Sequence, residues 1–396
     1  MHQVNTPSGA RESHPWRLTA AILISCIGAE VFIIQPGFVQ GLVQSLGFDE
    51  KQAGYAASIE VWGITSTTLL MTFFSHRFNW RSVCAASLLG MAATNLACVF
   101  VHGHAAFLLL RFLCGAGAGG LISLGFTVTG LTDKPDRNFG YLIMWVLLYG
   151  AAGLYVMPSM FAWNGMVGVL VFLTLFPLTA LPMLKALPVD GDTAGPVEAD
   201  AVNLPRALQG SALVAMLLYF VAQGVMWAYL FLIGVAGGLP EQQVANGLTV
   251  SQVAGVGGAM LAAAVGSRFG RWRPLTVGIL GGATSLLFLI GRFEYLAFSL
   301  WVCVYNFFWN MTHPFLLGSM ASFDRRGRVV VNAVAMQMVG LAIGPALAAS
   351  VITDGHYAPV NWIAIGLFVV SWLCILPPVL IQHRRSHPSR TSEAMT

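Results

Sequence analysis

The chain has 396 residues, 57% of them hydrophobic and only 9% charged, with a formal net charge of +4. A soluble domain carries about 25% charged residues, so the composition excludes one and points to an integral membrane protein. Six cysteines (Cys26, Cys84, Cys98, Cys114, Cys303 and Cys374) lie in apolar segments without close pairs, a pattern of free thiols rather than of a disulfide framework or a metal site.

The polar start, Met1 to Trp16, has no short apolar core ending in a cleavage site, so no cleaved signal peptide is expected. Twelve apolar runs follow, at 18–45, 51–74, 82–101, 105–131, 139–160, 165–186, 209–236, 242–265, 274–291, 295–321, 329–352 and 358–382. Most reach the ~20 residues that a spanning helix needs, and in lipid such runs satisfy their backbone as helices. The one long polar break, 187–208, is rich in Pro, Gly and Asp and reads as a flexible linker. The expected organisation is all-α and polytopic: a tail over 1–17, a six-helix bundle over 18–186, the linker over 187–208, a second six-helix bundle over 209–382 and a tail over 383–396. Basic residues set its orientation. With both termini inside, the inner segments hold seventeen Lys and Arg, and the outer side holds only Lys51 and Arg292. The expected location is a bacterial inner membrane with cytoplasmic termini and linker.

The halves repeat each other at a fixed offset. Glu50 matches Glu241, 191 positions on, and the same offset pairs Arg77-Phe78 with Arg268-Phe269, Asp133 with Asp324 and Arg137 with Arg328. Six runs separate the partners, so the repeats point the same way through the membrane. Parallel repeats of this kind are a transporter architecture with substrate bound between halves at mid-membrane.

The fourth run, Ala105 to Leu131, carries Arg111 and then Gly115-Ala116-Gly117-Ala118-Gly119-Gly120. A charge at that depth is a functional candidate, and small residues at that density let a neighbouring helix approach closely. Two carboxylates join Arg111 as intramembrane charges: Glu30 on the first run and Glu60 on the second. Their repeat partners, Val221, Ser251 and Val302, are uncharged. With a rise of about 1.5 Å per residue, all three charges can meet in one layer between mid-membrane and the outer side. Glu30 stands before Gln35-Pro36-Gly37, which can bend its helix. A carboxylate whose surroundings and distance from an arginine change during the cycle can bind and release a proton, so Glu30, Glu60 and Arg111 are the candidates for proton coupling. The bland reading is a structural bridge between helices.

The second half offers polar and aromatic stripes. Tyr219, Gln223 and Trp227 share a face of the seventh run, and Asn306, Asn310 and His313 share a face of the tenth, with Tyr305 and Trp309 beside them. The fifth run adds Tyr141, Trp145 and Tyr149 at the same spacing. The candidate substrate contacts are Trp145, Tyr149, Gln223, Trp227, Asn306, Trp309, Asn310 and His313. No Walker-type phosphate loop occurs and no ligand set has metal spacing. The expectation is therefore no cofactor and no metal. Basic loops fit membrane orientation and inner-leaflet lipid rather than nucleic acid.

Several motifs give the chain a family resemblance. Ser267-Arg268-Phe269-Gly270-Arg271-Trp272-Arg273 and His76-Arg77-Phe78-Asn79-Trp80-Arg81 are similar to the Asp-Arg-x-Gly-Arg loops of the major facilitator superfamily, although the aspartate is missing from both. Arg111-Phe112-Leu113-Cys114-Gly115 resembles that family's Arg-x-x-x-Gly signature. Gly150, Gly153 and Pro158 match its antiporter signature poorly, and a Gly344-Pro345 pair sits on the eleventh run instead. The resemblance implies twelve transmembrane helices in two pseudo-symmetric six-helix bundles, with Arg77, Arg81, Arg268 and Arg271 at an inner gate. It implies a monomeric secondary transporter, not an enzyme, whose partners are a small molecule, protons and lipid. The leading expectation is proton-coupled efflux of a small amphipathic molecule. The alternatives are symport of an aromatic or other organic acid, with Arg111 taking its carboxylate, and a membrane receptor or sensor that does not transport.

Overall fold

The computed structural model describes residues 16–101, 103–132, 135–190, 203–266, 270–324, 328–353 and 355–386. Arg268, most of the linker and nearly all of both tails lie outside these residues. The helices are α1 (Arg17–Gly28), α2 (Glu30–Ile33), α3 (Gln35–Leu46), α4 (Glu50–Phe74), α5 (Trp80–Phe100), α6 (His104–Gly130), α7 (Pro135–Leu178), α8 (Arg206–Ala236), α9 (Glu241–Val265), α10 (Trp272–Leu287), α11 (Tyr295–Ser322), α12 (Arg328–Val351) and α13 (Ala358–Ser386). Among the described residues, seven helical stretches are long and apolar enough to cross a membrane. The protein is an all-helical, multi-span membrane protein.

Three apolar runs depart from simple spans. The first divides into α1, α2 and α3, with breaks at Ala29 and Ile34. Pro36 causes the second break, because it has no N–H to give the carbonyl four residues back and its ring crowds that carbonyl. The fifth and sixth runs are two helices joined without a loop, and α7 denotes both; the helical backbone is interrupted at Asn164 and Gly165, where the chain turns back so that Tyr149 stacks on Phe176. Gly165 has φ 57°, a left-handed backbone that glycine adopts without strain.

Packing repeats between halves. The closest pair in the first half is α4 with α6, and its counterpart in the second is α9 with α11. Backbones touch in both. A Cβ on Gly63 would strike the Phe112 carbonyl oxygen, one on Gly119 the Ile64 carbonyl oxygen, and one on Gly258 the Phe307 carbonyl oxygen. Third and sixth spans are tied by an asparagine in each half. Asn95 Nδ2 donates to Leu173 O at 3.0 Å, and Asn361 Nδ2 donates to Leu286 O at 3.0 Å. Leu286 is the repeat partner of Asn95, so the tie is kept while its donor has moved to the opposite helix.

Candidate functional site

The end of the bundle where α4 and α9 begin holds Lys51 and Arg292, and the opposite end holds Arg17, Arg77, Arg81, Arg271, Arg328, Arg384 and others. We refer to these as the charge-poor and basic ends.

The three intramembrane charges come together inside the first half. Arg111 on α6 and Glu30 on α2 are fully buried, and Glu60 on α4 nearly so. Arg111 Nη1 lies 3.5 Å from Glu60 Oε1. Its other terminal nitrogen, Nη2, donates to Asn95 Oδ1 at 2.5 Å, and Asn95 Nδ2 donates in turn to Glu30 Oε1 at 3.4 Å. One amide thus links the guanidinium to the second carboxylate. The Cys114 thiol adds a 3.7 Å contact to Asn95 Oδ1. The rings of Phe38 and Phe107 lie 5.5 Å and 5.8 Å from the guanidinium carbon, so aromatic faces support the cation where carboxylates do not.

Glycine makes this cluster fit. A Cβ on Gly115 would overlap the carbonyl oxygen of Glu60, so α4 and α6 meet at the residues that carry the opposed charges. Oε2 of Glu30 and Oε2 of Glu60 have no hydrogen-bond partner, and neither has the buried Tyr149 hydroxyl. Asn95 was not singled out from the sequence. Its signal was a lone amide inside an otherwise apolar run.

The second half has no such cluster at the matching positions, which are Val221, Ser251, Leu286 and Val302. The contact itself is kept with other chemistry. Asn306, the partner of Gly115, donates through Nδ2 to the hydroxyl of Ser251, the partner of Glu60, at 3.2 Å. Asn310 Nδ2 donates to Asn306 Oδ1 at 2.8 Å. The asparagine stripe therefore faces α9 in this conformation. Asn306 is buried, whereas Trp309, Asn310 and His313 are half-buried. His313 Nε2 is 3.0 Å from Gln337 Oε1.

The remaining aromatic candidates fall in different settings. The buried Tyr305 hydroxyl donates to Gln223 Oε1. Trp227 is 1% exposed; its ring packs edge-on against Trp309 at 5.7 Å. Tyr149 stacks on Phe176 at 5.2 Å, and Trp145 is an exposed side chain of α7.

Among the described residues, seven side-chain hydrogen bonds that the sequence did not announce join the halves. Tyr229 O–H donates to Glu50 O at 2.6 Å, and Gln40 Nε2 donates to Glu241 Oε1 at 3.2 Å. Gln242 Nε2 reaches Tyr155 O at 3.3 Å, and Thr249 Oγ1 reaches Ala151 O at 3.2 Å. Ser58 Oγ donates to Ala342 O at 2.6 Å, Thr65 Oγ1 to Met338 O at 3.1 Å, and Trp227 Nε1 to Phe32 O at 2.9 Å. Six of these lie between the charge-poor end and the middle of the bundle, and the Thr65–Met338 bond lies at the middle, just on its basic-end side. Helix packing agrees, since α3 packs on α8 while α1, the basic-end part of the same span, packs on α6 and α7.

Among the basic loop residues expected at an inner gate, Arg77 is exposed with its guanidinium carbon 5.4 Å from the Phe74 ring centroid. Arg81 Nε donates to Leu187 O at 2.7 Å, and Arg271 lies alongside Gly318 of α11.

The profile of the Major Facilitator Superfamily matches residues 20–323. That is well over half of the chain, and the chain belongs to this family. It is therefore a membrane-embedded secondary transporter of the MFS fold, acts on a small-molecule substrate and is not an enzyme. No curated protein matches the chain.

Proposed function

We propose that the protein couples proton movement to export of a small amphipathic molecule, with Glu30, Asn95, Arg111 and Glu60 as its proton site. The observation that carries this is the charge count of a closed cluster. Two enclosed carboxylates face one guanidinium, which leaves a negative charge in excess unless the site holds a proton. An uncompensated charge in such surroundings is too costly to keep. Glu60 has the direct ion pair, and Glu30 is reached only through Asn95. The exchangeable proton is therefore assigned to Glu30, and Arg111 with Glu60 forms the fixed partner.

In this reading the charge-poor end is the outer side, and the conformation is closed there. Substrate enters from the cytoplasmic basic end and touches the half-buried side chains Trp309, Asn310 and His313 of α11, with Tyr149 of α7 opposite. Arg77, Arg81, Arg268 and Arg271 belong to the basic-end gate, which closes when the bundles rock the other way. Symport of an organic acid on Arg111 is less well supported, because that guanidinium is fully buried and already engaged by Glu60 and Asn95.

Purified protein in proteoliposomes tests the reading. An imposed proton gradient drives accumulation of a substrate found by thermal-shift screening. Glu30→Gln abolishes that accumulation and spares passive exchange. Full gradient-driven transport by the Glu30→Gln, Glu60→Gln double variant would falsify the assignment and leave the three charges structural.

A further inference from the structure

Helix α2 is a single turn of four residues, isolated by the breaks at Ala29 and Ile34. Its first residue is Glu30. Two residues later, the Phe32 carbonyl is the group that an unbroken helix would satisfy from position 36. Position 36 is proline, so that donor does not exist, and a backbone N–H at the end of the turn reaches the Phe32 carbonyl in its place. The Trp227 indole N–H, from α8 of the other half, donates to this carbonyl at 2.9 Å. Trp227 is the repeat partner of Pro36, 191 positions on. One copy of the repeat breaks the helix, and the other copy adds a second donor to the carbonyl at the break.

We infer that α2 is the coupling element of this transporter and that Trp227 is its latch on the second half. A change at Glu30 moves the same turn that bears the Phe32 carbonyl, and so makes or breaks a bond that closes the charge-poor end. Glu30 itself faces Glu60 of α4, Asn95 of α5, Arg111 and Cys114 of α6 and Tyr149 of α7, all in its own half. None of these reaches the second half as directly as the Phe32 carbonyl does. Trp227 acts as a positioning residue. The link to Glu30 rests on the proton-site reading above, whereas the latch itself does not.

The test uses full-length protein with Ser58→Cys as reporter. Ser58 is buried on α4 against Ala342 of the other half, and its cysteine becomes reactive when the charge-poor end opens. A membrane-impermeant maleimide is the probe, and the parent protein gives the background from the six native thiols, which are buried or half-buried. Trp227→Phe keeps a ring against Trp309 and removes only the donor. Pro36→Ala reaches the same bond from the other side, by supplying a backbone N–H that competes for the Phe32 carbonyl, and it keeps the test open should the first variant fold poorly. The expected result is about a fivefold rise in labelling, the shift that one ordinary hydrogen bond produces, with the double variant no higher than the larger single. Unchanged labelling in both single variants, or fully additive effects, overturns the latch. Labelling at two pH values separates the two readings. A pH dependence that survives Glu30→Gln unchanged sinks the proton site and its link to α2, and leaves the latch to be judged by the Trp227 and Pro36 variants.

Discussion

Gly115 on α6 lies against the backbone of Glu60 on α4, so closely that a Cβ at position 115 would overlap the Glu60 carbonyl oxygen. The glycine is thus the floor on which the Glu60–Arg111 pair is built. A methyl group there has to push α4 away. Gly115→Ala is expected to cost about 1–3 kcal/mol, the usual range for overpacking, and to lower the unfolding temperature in detergent. Gly90→Ala on α5 is the control, because nothing lies within 4 Å of its added Cβ. It should lose no stability. Equal effects from the two variants would remove the argument for a specific contact.

Arg111 and Glu60 are both enclosed, so removing one partner is worse than removing both. Arg111→Ala leaves a buried carboxylate without its cation and should cost about 3–5 kcal/mol. Adding Glu60→Gln to it should recover part of the loss. Thermal unfolding of the four proteins of this cycle reads the coupling directly. A double variant whose loss equals the sum of the two single losses would mean that the pair is not coupled.

Asn95 is the bridge between Arg111 and Glu30. Asn95→Leu keeps the volume and removes the bonds to Arg111 and Glu30 together with those to Leu173 O and Cys114; the one from the charged donor is worth about 1.5–3 kcal/mol. Gradient-driven accumulation should fall by about tenfold or more, the factor that such an energy represents, while counterflow exchange persists. Loss of both activities together would point to a packing role instead.

Asn306 and Asn310 looked interchangeable as substrate contacts, and the structure separates them. Asn306 is 2% exposed and ties α11 to Ser251 of α9. Asn306→Ala should therefore cost about 1–3 kcal/mol of stability through the polar groups it leaves unpaired. Asn310→Ala should spare folding and weaken the thermal stabilisation given by bound substrate. Ligand-induced shifts that stay intact in Asn310→Ala would take that residue out of the binding site.

The sequence made legible what depends on period, composition and charge. The run of helices, the offset of 191 and the meeting of Glu30, Glu60 and Arg111 all follow from residue type and depth along a helix. Other features needed a neighbour to be seen. Pro36 announced a bend in the first run, but not that two breaks would isolate Glu30 on its own turn. Asn95 carries no charge and stood out only as one amide among apolar residues. The glycines from Gly115 to Gly120 announced a close helix without naming α4. Glu50 and Glu241 were visible as a repeat match. Their part in joining the halves was not, because Tyr229 and Gln40 lie 179 and 201 residues from them.

Those last two contacts are reciprocal. Tyr229 of the second half holds the start of α4 in the first, and Gln40 of the first half holds the start of α9 in the second. A duplicated chain has in this way given the charge-poor end two of its fasteners at matching places in the repeat, built from unlike side chains. Such a seal degrades by steps. Five further hydrogen bonds join the halves among the described residues, so a substitution at Tyr229 or Gln40 alone leaves most of the seam in place.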